Sequence, residues 1–233
     1  MSDTKLANYA YHCMDFQASI EEAALRTPSP ELAYIHLKSL CELDRSIEAI
    51  TIGKSYLKSF PESGSLHYQI GVANYLAKNN FQEIEKCFLN ASSYEHAGGS
   101  LGMAFLAFSE KQNKAGLQLL QSVQSSDFEL EHIRHLMIFQ ASAIEENLDE
   151  AERNLKISDS ILRSSPSLLR NMWGQICWVR LLRARGRFEG ASSVLERVLP
   201  QIDQIRAPRL FRNAMSAKEL IEERVDSQLG LNY

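Results

Sequence analysis

The amino-acid sequence predicts an all-α protein of the α-α superhelix class, a solenoid of about six helical hairpins followed by one capping helix. Apolar residues recur at intervals of three and four along most of the 233 residues, which is the spacing of one face of a helix. The sequence lacks the two usual signals of strands, an alternating run of β-branched residues and an Asn-Gly or Asp-Gly turn. A polar turn followed by the opening of a helix recurs about every 35 residues, which indicates repeats.

The best-formed repeat runs from 66 to 91, with a tight turn predicted at 78–80. Ile84 and Phe88 of its second helix are four residues apart and therefore share a face. Gly71 lies inside its first helix, where glycine costs about 1 kcal/mol relative to alanine. The sequence therefore predicts that a neighbouring helix approaches closely at Gly71.

Weaker copies of this repeat extend over most of the chain, and one residue opens each second helix at a similar position. These anchor residues are Ala18, Ala49, Ile84, Ala115, Ala151 and Ala191. We predict a single helical-repeat domain over 1–233. Its repeats run roughly over 3–27, 31–61, 65–93, 97–125, 128–165 and 167–200. A capping helix at 208–226 follows, with Leu210, Ala214, Ala217 and Ile221 on its apolar side.

The helix-breaking and helix-capping residues agree with these boundaries. All six prolines fall where a helix is predicted to begin or end, and none lies in a predicted helix interior. Ser29, Ser65 and Ser167 are candidate N-caps, because a serine hydroxyl can accept from an unpaired amide of the first turn.

From Tyr9 to Pro200 the pattern resembles the tetratricopeptide repeat family. That family places Leu-Gly and an aromatic residue on the first helix, and Ala, an aromatic residue and Ala on the second, before a proline. The matching residues are Tyr68, Ile70, Gly71, Tyr75, Ile84, Phe88 and Ala91 in the best repeat, Ala49, Gly53, Tyr56 and Pro61 before it, Leu101 and Gly102 after it, and Gly186, Ala191, Leu195 and Pro200 in the last repeat. In the other repeats Leu, Ser or Val fills the family's positions.

The resemblance implies that the first helices line a concave groove and that the protein binds a peptide or an amphipathic helix there. Carried over by register, the partner-binding residues are Tyr34, Lys38, Tyr68, Val72, Tyr75, Met103, Leu106, Trp173, Arg180 and Arg183. The ninth groove positions hold no asparagine, which argues against the family's clamp for C-terminal carboxylates. An alternative interpretation is that these aromatic residues pack between helices.

The expected function is a non-catalytic protein-interaction module, an adaptor or a chaperone, for example for a secreted or assembled subunit. The net charge is −4, yet residues 163–212 hold ten arginines and three acidic residues. This basic end of the groove would suit an acidic protein or peptide partner. The alternative is a nucleic-acid-linked regulator that uses segment 163–212, which the overall acidic charge disfavours. The oligomeric state is left open.

One pattern has the appearance of a metal site. His132 and His135, beside Glu129 and Glu131, form an HxxH pattern on a predicted helix, and a transition metal could bind both imidazoles. No motif supplies a third ligand, so ordinary surface or interface histidines are the preferred interpretation.

No other pattern predicts chemistry. The glycine-rich stretch 96–102 lacks the strand and the lysine of a phosphate loop, and is interpreted as a turn with a close-packed Gly102. Adjacent acidic residues point about 100° apart on a helix and cannot share a proton. The predictions are that the protein is not an enzyme and needs no metal and no cofactor.

Compartment predictions rest on weaker signals. No stretch is apolar over about 18 residues, and the N-terminus does not resemble a secretory signal. The four cysteines are widely spaced, and each falls in a predicted helix among apolar residues, which favours free buried thiols. We predict no membrane span and a cytoplasmic location.

Overall fold

The computed structural model describes the backbone of residues 4–228 and the side chains of residues 4–223. Within this range the chain contains helices and turns and no strand. The helices are α1 (Thr4–His12), α2 (Phe16–Ala24), α3 (Pro30–Glu42), α4 (Ser46–Ser59), α5 (Gly64–Leu76), α6 (Phe81–Ser93), α7 (Ala97–Ser109), α8 (Asn113–Ser122), α9 (Phe128–Ile144), α10 (Leu148–Ser164), α11 (Leu168–Ala184), α12 (Phe188–Val198) and α13 (Pro208–Gln228), with a 3-10 turn at Leu199–Gln201.

The chain forms two compact units, unit 1 (Met1–Arg134) and unit 2 (His135–Tyr233), and α9 runs across the boundary. In unit 1 each helix from α1 to α7 packs on the next one, and α1, α3, α5 and α7 also pack in series. In unit 2, α11 packs on α10, α12 and α13. Contacts between first helices of successive hairpins are the stacking that a helical repeat requires. That 1–233 forms a single domain stays a prediction.

The turn inside each of the six hairpins has the same backbone geometry. One residue has a left-handed conformation with φ between 56° and 71°; these residues are Met14, Asp44, Lys78, Lys111, Glu146 and Gly186. The N–H of the next residue donates to the carbonyl five residues before it, at 2.8–3.0 Å. This is the longer hydrogen bond of the Schellman motif, which satisfies a carbonyl at the end of a helix. Five of the six left-handed residues are not glycine, so the sequence does not reveal the motif.

Two of the three predicted N-caps are confirmed. The hydroxyls of Ser29 and Ser167 accept from the amides of Leu32 and Arg170, both at 3.3 Å. The prediction for Ser65 is wrong, because α5 begins at Gly64 and its N-cap is Ser63, two residues before the predicted one. Side chains of Asp15, Asn80 and Asn147 cap three further helices.

Gly71 packs as predicted. A Cβ atom at Gly71 would lie 2.5 Å from Cε1 of Phe88, and one at Gly102 would lie 2.3 Å from its Cδ1. Phe88 is 2% exposed and therefore fills the space that glycines of α5 and α7 leave open. The predicted turn at 96–102 is wrong, however, because α7 begins at Ala97 and contains Gly102.

The last helix, α13, has one buried side. Leu210, Ala214, Ala217 and Ile221 are at most 3% exposed, whereas Glu219, Glu222 and Glu223 face solvent. An apolar side against α11 and α12 and a polar outer side are what the terminal helix of a repeat stack needs. The predicted capping helix is confirmed, and it extends to Gln228.

The cysteine prediction is correct for two residues. Cys41 and Cys177 are free and buried, and burial raises the pKa of Cys177 to about 12. Cys87 is half-buried, and Cys13 is exposed in the turn after α1. The expectation that all four thiols are buried in helices is therefore wrong for Cys13.

Candidate functional site

Seven of the predicted partner-binding residues lie on α3, α5 and α7 of unit 1. We call them, together with Phe105, the first-helix face of unit 1. They are Tyr34, Lys38, Tyr68, Val72, Tyr75, Met103 and Leu106. Tyr68, Lys38 and Leu106 are at most 7% exposed, Tyr34, Val72 and Met103 are half-buried, and Tyr75 is 39% exposed. These differences separate residues that pack inside the unit from residues that a partner could reach.

Tyr68 is a packing residue in this structure. Its ring lies 6.0 Å from the ring of Phe88 and 5.6 Å from that of His96, measured between centroids. A Cβ atom at Gly98 would lie 2.7 Å from its Cγ, so α7 passes close to it. The alternative that the tyrosines pack between helices therefore applies to Tyr68, and its role in partner binding stays a prediction.

Tyr75 is the exposed residue of the face, and half-buried Phe105 packs against it. Their ring centroids are 4.5 Å apart and their planes meet at 87°, an edge-to-face contact between α5 and α7. Val72 and Met103 are half-buried on the same two helices. Phe105 is not among the predicted residues, because the family register places Met103 and Leu106 at the groove positions of α7. The alternation of apolar and aromatic residues on this helix was the available signal.

Lys38 is 5% exposed, and its ammonium group has an acidic partner. Nζ donates to Oε2 of Glu129 at 2.6 Å. It also lies 4.1 Å from the ring centroid of Tyr11 and 4.8 Å from that of Tyr34. Three helices, α1, α3 and the start of α9, therefore meet at one lysine.

The surroundings of Tyr34 are negatively charged. Its phenol has a pKa well above the ordinary value, first because it is buried and next because the carboxylate of Glu129 opposes ionisation. Asp127 contributes in the same direction. Two acidic residues from the start of α9 and the turn before it thus lie near the α3 part of the face.

The three remaining predicted residues belong to unit 2, and two of them, Trp173 and Arg180, contact its last helix. The guanidinium of Arg209 lies 5.4 Å from the ring of Trp173, and Arg180 Nη2 donates to Asn213 Oδ1 at 3.1 Å. Arg183 is half-buried, and its Nε has no hydrogen-bond partner. Trp173 and Arg180 therefore pack against α13, and their role in partner binding stays a prediction.

Other arginines of segment 163–212 also have partners inside unit 2. Arg185 lies 2.8 Å from carboxylate oxygens of both Asp149 and Glu152. Arg170 is 7% exposed and donates to the carbonyl and hydroxyl of Ser165 at 3.0 Å. These contacts explain how several like charges are accommodated within one segment.

The HxxH pattern has a structural role at its second histidine. His132 and His135 are 1% and 8% exposed, and His135 Nδ1 lies 2.8 Å from Oδ1 of Asn154. The described residues contain no group of three or more His, Cys, Asp or Glu side chains placed to hold a metal ion. The interpretation as surface histidines is wrong, since both rings are buried.

Six hairpins and a terminal helix define a helical-repeat protein. A solved structure of a tetratricopeptide repeat protein from Parabacteroides merdae ATCC 43184 is similar, with a TM-score of 0.58 and 13% identity over 91% of this chain and 83% of that one. The APC/C hetero-tetramer Cut9-Hcn1 gives a TM-score of 0.46 and 11% identity, covering 93% of this chain and 54% of that one.

No family model and no curated protein sequence matches the chain. The likeness to the first structure shows the fold, and it confirms both the predicted fold class and the resemblance to tetratricopeptide repeats. Over residues 4–228, no helix combines the length and the apolar character needed to cross a membrane.

Proposed function

We propose that the protein is a non-catalytic protein-interaction scaffold, with the first-helix face of unit 1 as its binding surface. The observation that carries this proposal is the aromatic pair of exposed Tyr75 and half-buried Phe105, which lies on two consecutive first helices. Aromatic residues and methionine are enriched where proteins bind one another. Val72 and Met103 extend the apolar surface on the same helices.

The partner we propose is a peptide segment that carries apolar and acidic residues. An apolar side chain would pack beside Tyr75 and Phe105. The acidic character is supported by the chain itself, whose own acidic segment at 127–129 lies near Tyr34 and Lys38 of this face. Adaptor and chaperone roles, with a cytoplasmic location, fit a protein of this kind.

A pull-down with matched variants tests this function. The variant Tyr75→Ala/Phe105→Ala should fail to recover the partners that the wild-type chain captures, because it removes the exposed ring of Tyr75 and the ring that packs against it. The control is Tyr94→Ala, whose tyrosine is equally exposed, at 41%, but lies at the end of the second helix α6. Circular dichroism establishes that both variants are folded. Recovery of the same partners by all three proteins would show that this face is not the binding surface.

Arg180 and Arg183 carry a separate part of the original expectation, a basic end that pairs with acids on the ligand. This remains a proposal for unit 2 alone. The alternative, a nucleic-acid-linked regulator that uses segment 163–212, stays a prediction.

A further inference from the structure

Lys38 has the surroundings of a binding subsite, and a distant part of the chain occupies it. The side chain is 5% exposed, and its carboxylate partner, Glu129, is 91 residues away in sequence. A buried ammonium group is costly unless it is paired, so this position requires an anion. The rings of Tyr11 and Tyr34 lie within 4.8 Å of Nζ and add cation–π attraction.

The anion comes from a segment that is mostly exposed and lies between buried Val123 and Leu130. Gln124, Ser126, Asp127 and Phe128 are solvent-exposed, whereas Glu129 is half-buried and pairs with Lys38. Phe128 is 51% exposed although it precedes the buried contact directly. Glu129 thus reaches Lys38 in the way a side chain of a bound peptide would.

We propose that Lys38, Tyr11 and Tyr34 form the carboxylate-binding subsite of the first-helix face, that Glu129 occupies it in cis, and that the partner is an acidic peptide whose own carboxylate replaces Glu129. This inference rests on the proposed function and names the partner's chemistry. Binding in trans would release the start of α9 from the face, since the two carboxylates compete for one lysine.

The geometry also sets the spacing within the partner. Lys38 lies on α3, Val72 and Tyr75 lie on α5, and Phe105 lies on α7. Packed helices are about 8–10 Å apart, and an extended peptide advances about 3.3 Å per residue, so each helix corresponds to about three peptide residues. The acidic residue and the apolar anchor of the partner should therefore be about three to six residues apart.

A peptide with the chain's own sequence is the probe. We would label a synthetic peptide corresponding to residues 124–134, together with a matched peptide that has Gln in place of Glu129, and measure fluorescence anisotropy with the full chain. A tethered competitor acts at about millimolar effective concentration, so the wild-type chain should bind the peptide weakly. The variant Glu129→Gln should bind it about tenfold more tightly or better, because the cis competitor is lost.

Three comparisons decide the result. The Glu129→Gln chain should bind the Gln-containing peptide at least about tenfold more weakly than the native peptide, since its carboxylate is missing. The double variant Lys38→Met/Glu129→Gln, in which no lone charge is buried, should not distinguish the two peptides. Equal affinity of the wild type and Glu129→Gln, or equal affinity for the two peptides, would overturn the proposal.

Hydrogen exchange of the wild-type chain covers the case in which Glu129→Gln does not fold. Saturating native peptide should increase exchange at residues 124–129, and the Gln-containing peptide should not. Unchanged exchange would also overturn the proposal. The proposed function and the proposed subsite can fail separately. If the chain binds the peptide but captures no partner, only the scaffold function is overturned. If it captures partners but does not distinguish the two peptides, only the subsite is overturned.

Discussion

Glycines in first helices have different roles in the two units. In unit 1, Gly71 and Gly102 both lie against the Cδ1 and Cε1 atoms of the Phe88 ring, at distances where no Cβ atom fits. In unit 2, the nearest atom to a Cβ at Gly174 would be Asp159 Oδ1 at 3.8 Å, an ordinary contact. Close helix packing therefore requires glycine in unit 1, whereas α11 of unit 2 has room for a larger residue. A glycine in a helical repeat is thus evidence of close packing only when a large side chain faces it.

The largest expected effect on the free energy of unfolding is at Phe88, the residue that both glycines contact. Phe88→Ala should lower the free energy of unfolding by about 3–5 kcal/mol, because it leaves a cavity between α5 and α7. Leu89→Ala, at the adjacent position that is 51% exposed, should change it by only about 0.5 kcal/mol. Urea denaturation followed by circular dichroism measures both, and similar losses would show that the glycine–phenylalanine contact is not a centre of stability.

Gly102→Ala should lower the free energy of unfolding by about 1–3 kcal/mol, because the new methyl group overlaps the Phe88 ring. The loss should become smaller in a Phe88→Ala background, where the methyl group meets a cavity. A double-mutant cycle by denaturant unfolding measures this coupling. An unchanged cost in that background would mean that backbone effects, rather than the ring, require glycine at 102.

Substitutions in the hairpin turns should change the free energy of unfolding by a smaller amount, with opposite sign in the two units. Lys111 of unit 1 and Gly186 of unit 2 have the same left-handed backbone, with φ of 62° and 71°. Lys111→Gly should stabilise by about 1 kcal/mol and Gly186→Ala should destabilise by about the same amount, since a Cβ atom is disfavoured there. Thermal unfolding measures both variants, and shifts in one direction would argue against equivalent turns.

Gly174→Ala should have the smallest effect, a stabilisation of about 0.5–1 kcal/mol. Alanine is the better helix former, and its methyl group would make only ordinary van der Waals contacts at this position. The unfolding midpoint in urea, compared with that of Gly102→Ala, is the direct measurement of the difference between the units. Destabilisation at both positions would remove the distinction.

Much of the fold could be predicted because its signals are local. The spacing of Ile84 and Phe88, the position of Gly71 and the serines before α3 and α11 each depend on residues within one or two helical turns. The N-cap of α5 was misplaced by two residues for the same reason, since Ser63 and Ser65 are both possible helix starts. The hairpin turns could not be recognised, because five of their six left-handed residues have side chains that normally avoid this conformation.

The candidate site was less predictable. Register identified Tyr75 and Lys38 as surface candidates, but it could not distinguish accessible Tyr75 from buried Tyr68, whose exposure depends on Phe88 and on the path of α7. Phe105 was missed because it does not occupy a groove position of the repeat family.

The sequence by itself determined the helical hairpins, their order, the capping helix and the close packing at Gly71, because helix periodicity and steric size act over short distances along the chain. The tertiary structure alone decided that Lys38 pairs with Glu129, 91 residues away, and that Tyr11 and Tyr34 enclose the ammonium group. The physical reason is that a charge pair depends on distance in space, and α1, α3 and the start of α9 must come together before these side chains can meet.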